Sequence, residues 1–404
     1  MINKQIFQFP ITYTIPINKI AIGWGVHETV ADECKAVGIK KALIVTTGLK
    51  GTGIINEIRQ ILTTNGISTE IYDKVTSNPK DYEVMEAYDV FKNAECDGVV
   101  SVGGGSSHDC GKMIRLVFVN NGQDIVDFAA FGDRSWMEIA LKSKPPITPQ
   151  VSVNTTAGTA AESTAAAMVT SKKLRAKVGI FMPALAPNTA LVDPLLVRLM
   201  PQNIAAWTGF DTFVHGIEPL LSRIKSHYSR SISLGMIKLV TENLREFVYN
   251  RMNSVACENM CWAENMATGN LHLGGGAGIV HGISHQIGAL TDAHHGLLNA
   301  VLTLPLQRYN EASCPERFAE MATSMGIDTR SMTKIQAADK WFDEVERLLA
   351  DLNIKSGHLN EQFGVQEKDL GHMVDLCLKD WCREANPRSF EYDELLTIMK
   401  SMLH

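Results

Sequence analysis

No stretch of this sequence approaches the roughly 18 consecutive apolar residues that a membrane-spanning helix requires. It has no CxxC, and its eight cysteines, from Cys34 to Cys382, are scattered without a regular framework. That speaks against a disulfide scaffold and for free thiols in a reducing cytoplasm. Cys257 and Cys261 stand one helical turn apart, where two buried thiols and a pair of metal ligands are both open readings. A large excess of one charge is also missing. A net −6 over 404 residues gives no general attraction to phosphate backbones or anionic lipids, so neither nucleic acid nor a membrane surface is an expected partner. The opening MINKQIFQFPITYTIP has no basic end, sustained apolar core or small-residue cleavage site, so no secretory signal is expected. There is no internal repeat, low-complexity tract or obvious flexible linker.

The residues that are present describe an ordinary globular chain, 45% hydrophobic and 20% charged, too long for one core and suited to two domains of roughly 200 residues. In the first half, β-rich runs at 41–47, 68–75, 97–104 and 147–154 alternate with amphipathic stretches. One of these carries Ile54, Ile55, Ile58, Ile61 and Leu62 at helical spacing. Strands alternating with helices predict crossover units and a mainly parallel sheet. Asp193-Pro194 reads as a helix start, and beyond it the strand signal stops and the periodicity is helical to the end. The expected architecture is an α/β nucleotide-type domain over 1–192 followed by an all-helical domain over 193–404, with a cleft between them.

Two loops and one cluster carry chemistry. In DGVVSVGGGSSHDCGK a strand runs into Gly103, Gly104, Gly105 and Ser106 before a helical pattern. Glycine admits close backbone approach, and a helix N-terminus presents free N–H groups to an anion. The spacing matches neither the dinucleotide GxGxxG nor a Walker loop, and a plain tight turn remains open. After the strand ending near Asn154, Thr155, Thr156, Gly158 and Thr159 form a polar loop. It suits a phosphate or ribose, or a capping box between Thr159 and Glu162. Asp211 and His215 lie i, i+4 on one helix face, and four of the twelve histidines fall between positions 281 and 295. A carboxylate with several imidazoles suits Zn²⁺ or Fe²⁺, whereas a helix-face ion pair is the bland alternative for the first two.

These residues, taken in order, resemble the iron-containing (group III) alcohol dehydrogenases, the family of lactaldehyde reductase, 1,3-propanediol dehydrogenase and bacillar methanol dehydrogenase. The match runs through the glycine turn, VNTTAGTAAE, ALVDPLLVRLMP, GFDTFVHGIE, HGISHQIGALTDAHHGLLNA and the closing ANPR, which is essentially the whole chain. The resemblance implies a metal-dependent, NAD- or NADP-linked alcohol dehydrogenase or aldehyde reductase acting on a small primary alcohol or aldehyde. It implies iron, with zinc as the alternative, held by Asp211, His215, His281 and His295. It places His285 beside the substrate as a proton relay. It assigns Gly104, Gly105, Ser106, Ser107 and Asp109 to the pyrophosphate loop, and Thr155, Thr156, Thr159 and Lys177 to cofactor contacts. Asn78 falls near the adenosine end, and a cytoplasmic homo-oligomer, dimer or larger, is implied.

Four departures from the family pattern bear on specificity. Thr47 stands where a carboxylate often reads the ribose, so use of NADP beside NAD is expected, with Lys50 as a 2′-phosphate contact. GTAAE replaces GTGSE, placing Ala160 and Ala161 where a glycine and a serine are usual. His294 replaces a proline. His272 replaces an aromatic ring and hints at a polar pocket; Arg175 and His108 are further polar departures near the cofactor motifs. The alternatives are a sister enzyme on the same fold, such as glycerol-1-phosphate dehydrogenase or a dehydroquinate-synthase-like lyase, and a non-catalytic metal-binding protein that kept the fold.

Overall fold

Four β-rich runs of the N-terminal half become strands in the computed structural model, which describes residues 19–404. They are β2 (Lys41–Thr46), β3 (Ser68–Tyr72), β4 (Gly98–Gly103) and β5 (Gln150–Asn154). The opening segment read above for a secretory signal lies outside the described residues. Two short strands were not expected, β1 (Lys19–Ile22) and β8 (Thr189–Val192). Together the six form one parallel sheet in the order β1-β8-β5-β4-β2-β3.

Side chains alternate across the sheet, and both faces are covered. Leu43, Val45 and Val99 enter the core under the Asp81–Asn93 and Gly105–Val119 helices. Ala42, Ile44, Val100 and Val102 meet Ile54, Ile58 and Leu62 on the other side. Doubly covered strands read as near-continuous apolar runs, as β2 and β4 do, whereas β3 with Ser68 and Glu70 exposed reads by alternation.

The Ala166–Ser171 (β6) and Ala176–Phe181 (β7) strands form a separate antiparallel hairpin that the sequence reading missed. Its turn has no glycine or asparagine, and Arg175 itself takes the positive φ of 52°. Lacking turn residues, the hairpin gave no signal.

Beyond Val192 every regular element among the described residues is helical, around a second and larger core. The expected start at Asp193-Pro194 is present: the Asp193 carboxylate accepts Leu195 N–H at 2.8 Å and caps the Pro194–Val197 helix. The same carboxylate accepts the N–H groups of Gly25 and His27, each at 3.1 Å, and pairs with His27 Nδ1. One buried acid therefore ties the start of the helical part to the first strand and its turn. All eight cysteines are buried and free. No helix among the described residues is long and apolar enough to cross a membrane.

Candidate functional site

Three helices of the C-terminal part bring the expected metal ligands together. Asp211 and His215 project from one face of the Gln202–Leu221 helix, His281 stands in the first turn of the Ile279–Thr291 helix, and His295 opens the His295–Glu311 helix. His281 Nε2 lies 3.1 Å from His215 Nε2 and 3.7 Å from Asp211 Oδ1. Donor atoms of Asp211, His281 and His295 lie within 4.8 Å of one another.

Each imidazole is anchored through its far nitrogen. His281 Nδ1 is 2.6 Å from Glu218 Oε2, His215 Nδ1 is 3.2 Å from Gly158 O, and His295 Nδ1 is 3.3 Å from Ser284 Oγ. Anchoring at Nδ1 directs the Nε2 lone pairs inward, as metal-binding histidines require. Two such lone pairs facing each other at 3.1 Å repel unless a cation or proton lies between them, so the donor set fits a divalent metal. Burial opposes ionisation of Asp211, but the surrounding imidazoles hold its carboxyl well below the usual range. Burial also works against protonated His281, yet the Asp211 and Glu218 carboxylates raise it to about 9.

Sequence reasoning missed two neighbours. Asn299 Nδ2 sits 2.6 Å from Asp211 Oδ1 and 3.2 Å from both His281 Nε2 and His295 Nε2, so these acceptors converge on one amide. Glu218 accepts the N–H groups of Gly278 and Val280 at 2.7 Å, capping the helix that carries His281. A Cβ on Gly278 would stand 2.8 Å from Glu218 Oε1, so only glycine admits this approach. The signals were faint: Glu218 is i+3 from His215 and Asn299 is i+4 from His295, each on the same face as its ligand.

His285 lies one turn after His281, outside the converging set. Its Nδ1 is 2.9 Å from Asp380 Oδ2, and its ring stacks on His295 at 5.4 Å and 15°.

The expected cofactor motifs gather at the carboxyl ends of β2, β4 and β5, where the chain leaves β2 for one side of the sheet and β4 for the other, the place at which open α/β sheets bind ligands. Gly103 has φ 143°, Gly104 caps the Gly105–Val119 helix without a side chain, and the first N–H groups of that helix are left to a ligand. The Thr155–Thr159 loop faces this turn. Added Cβ atoms on Gly104 and Gly105 would come within 2.8 Å of Thr156 Cγ2 and Thr159 Oγ1. The two expected loops thus form one cradle.

The capping box between Thr159 and Glu162 does not form, because no helix starts there. Thr159 Oγ1 accepts Ala161 N–H at 3.2 Å, and Glu162 is buried against Asn265. Ser107 is buried within the helix, and Asp109 is occupied by Lys112 at 3.2 Å and by Met168 N–H at 3.0 Å. Asp109 therefore ties the helix to the hairpin and does not reach into the cradle.

Beside the cradle, a cavity of about 250 Å³ is lined by Thr46, Thr47, Gly48, Lys50 and Asp73 among others. Lys50 Nζ lies 3.5 Å from Asp73 Oδ2, so a carboxylate absent at position 47 is present on the adjacent strand end. Asn78 is not among the cavity's lining residues. It accepts from Lys177 Nζ at 2.9 Å and donates to Ala293 O at 3.1 Å, on the turn leading to His295. Burial lowers Lys177 to about 8.

The polar departures part company. His108 is fully buried with Nδ1 2.9 Å from Ser101 Oγ, and Arg175 is exposed at the hairpin tip. His294 rests against Trp207 at 5.2 Å. His272, in a π turn over Leu271–Gly275, accepts Ala165 N–H through Nε2 at 3.1 Å. Burial lowers it to about 4, so it is neutral and carries its proton on Nδ1.

A family model described as iron-containing alcohol dehydrogenase matches residues 17–194, and one for the C-terminal part of the Fe-containing alcohol dehydrogenase family matches 205–403. The chain is 36% identical over 420 residues to the methanol:N,N-dimethyl-4-nitrosoaniline oxidoreductase of Mycobacterium sp. (strain DSM 3803 / JC1), covering 98% of this chain and 97% of that one. It is 36% identical over 394 residues to the 1,3-propanediol dehydrogenase of Citrobacter freundii, covering 96% and 97%. Among solved structures it is similar to a 1,3-propanediol oxidoreductase at a TM-score of 0.88 and 34% identity, covering 98% and 100%.

Proposed function

The chain belongs to the iron-containing alcohol dehydrogenases, and we propose from that premise that it interconverts a short primary alcohol and its aldehyde, using Asp211, His215, His281 and His295 to hold one divalent metal. The observation that carries this reading is the convergence of three Nδ1-anchored imidazoles and a buried carboxylate. When bound, the metal supplies Lewis acidity toward the substrate oxygen and the dinucleotide supplies or accepts hydride.

The chain's own groups do the rest. Gly104, Gly105 and Ser106 present backbone N–H groups to the pyrophosphate, and Thr155, Thr156 and Thr159 close the cradle from the other side. Ser107 packs beneath Gly103, and Asp109 fixes the helix behind that turn to the hairpin. Lys177 and Asn78 brace the turn before His295, and His285 exchanges the substrate's proton.

We place the division between a dinucleotide-binding part and a metal and substrate part after Val192, giving 1–192 and 193–404. The cap at Asp193 and the family models ending at 194 and beginning at 205 support this. Thr47 supports use of NADP beside NAD, and zinc is chemically suited to the same ligands as iron. Eight buried, free thiols support a cytoplasmic location, and the half-exposed strand β1, at the sheet edge among the described residues, supports assembly into a homo-oligomer. Fractionation and light scattering test these last two.

The deciding experiment measures bound metal together with turnover of short aldehydes by NADH and NADPH. His281→Ala and His295→Ala are expected to lose metal and about 10³-fold or more in turnover while keeping the native circular dichroism spectrum. Full occupancy and activity in either variant would remove that residue from the ligand set.

A further inference from the structure

Asp380 stands 95 residues from His285 in sequence and in hydrogen-bond contact with it. It occupies the turn leading into the Cys382–Ala385 helix, and both residues are buried. Its Oδ2 faces His285 Nδ1 at 2.9 Å and accepts from Gln286 Nε2 at 3.1 Å, while its Oδ1 accepts Cys382 N–H at 2.9 Å. A carboxylate so surrounded by donors stays ionised and can only accept. The proton between the two side chains therefore belongs to His285 Nδ1, which leaves Nε2 with a bare lone pair. Among the described residues no hydrogen bond reaches that Nε2, and the ring is held flat against His295.

We infer that Asp380 is a positioning residue that locks His285 in the Nδ1–H tautomer beside His295, so that Nε2 takes the substrate's proton in alcohol oxidation and returns it in aldehyde reduction. When the O–H bond breaks, its proton moves to Nε2 and the resulting imidazolium keeps its Nδ1–H on the Asp380 carboxylate. The net charge of the pair thereby goes from −1 to zero, and the imidazolium is held as half of a buried ion pair and not as a lone buried cation. The arrangement has the physical logic of a carboxylate orienting a catalytic imidazole. This inference rests on the reading of His285 as the proton-exchanging group.

Substitution by asparagine separates the possibilities. The Cys382 N–H can only donate, so it retains the amide oxygen of the new side chain, and the amide NH2 then faces His285. Nδ1 must become an acceptor, and the proton moves to Nε2. The measurement is a long-range ¹H–¹⁵N correlation on the full chain, zinc-loaded and labelled with ¹⁵N-histidine, with His285 assigned by its absence in His285→Asn. The parent is expected to show His285 protonated on Nδ1, and Asp380→Asn to show it on Nε2. Asp380→Asn should lower kcat about 10²- to 10⁴-fold, with KM and bound metal nearly unchanged. Asp380→Glu, which keeps the carboxylate, should recover part of the loss.

An Nε2–H tautomer in the parent overturns the inference, and that result needs no variant of Asp380 to fold. So does a loss of turnover in Asp380→Asn with the tautomer unchanged, which is the mark of a merely structural residue. His285, Asp380 and Cys382 also lie close enough to share an ion. A second equivalent of zinc in the parent that vanishes in Asp380→Asn would therefore replace this inference with a metal site. Full turnover in His285→Asn would instead refute the proton role of His285, whatever the tautomer shows.

Discussion

A threonine at position 47 leaves the proposed ribose end of the cavity without a carboxylate on its own strand, while Lys50 and Asp73 stand across it as an exposed pair. A 2′-phosphate bound there would compete with Asp73 for Lys50, and nothing at position 47 would repel it. Thr47→Asp is expected to shift the NADPH-to-NADH ratio of kcat/KM about tenfold or more toward NADH, since about 1.4 kcal/mol of added repulsion suffices. Strict NADH use by the parent, unmoved by the substitution, would assign the discrimination to another group.

His272 makes a similar argument at the other end. With Nε2 engaged by Ala165 N–H, its Nδ1–H is the polar group proposed to meet a substituent on the substrate. Short hydroxy- or otherwise polar aldehydes should then be reduced more efficiently than unsubstituted ones of equal length. His272→Phe should shrink that advantage about three- to tenfold, the worth of one hydrogen bond. If butanal is the better substrate of the parent and His272→Phe changes nothing, the polar pocket is refuted.

At the scale of elements, the Asp193 cap has a pH dependence that can be worked out. Its hydrogen bond to Asp193 raises His27 above the ordinary 6.5. Burial pulls Asp193 upward, but His27 and three backbone N–H groups hold it below 3.8. The raised histidine contributes stability fully below its unfolded value and loses it as pH climbs through the folded one. The lowered aspartate contributes above its unfolded value and loses it as pH falls through the folded one. The pair is therefore strongest between those limits. His27→Ala should lower Tm more at about pH 5.5 than at about pH 8.5, and equal losses in thermal melts at both would refute the charged pairing.

Elements also mark where sequence reading succeeds. Strands β2, β4 and β5 are buried on both faces and β3 alternates between exposed and sheltered residues, while the Ile54–Thr64 helix was legible because Ile54, Ile58 and Leu62 form one buried stripe. The β1 and β8 strands are four residues each, too short for a period to show. The four ligand candidates stood out by spacing and residue type. Glu218, Asn299 and Asp380 did not, since each is a single polar residue whose importance depends on partners distant in sequence.

Across the whole molecule, the sheet supplies the cradle, the helices supply the proposed metal ligands, and Asn78 with Lys177 links the two through the turn before His295. The four proposed ligands are unevenly sheltered. Asp211, His215 and His281 are 1%, 6% and 4% exposed, whereas His295 is only half-buried. A cation held by such a set would be least sheltered on the side of His295, and a substrate reaching it by that side would pass the same gap. Metal lability and catalytic access would then share a doorway, and whatever stands in it guards the ion. Stripping by a chelator is expected to slow severalfold when the dinucleotide is bound, without any change in the ligands themselves. A stripping rate indifferent to the dinucleotide would mean that the ion leaves through the helical core, by parting the very segments that hold it.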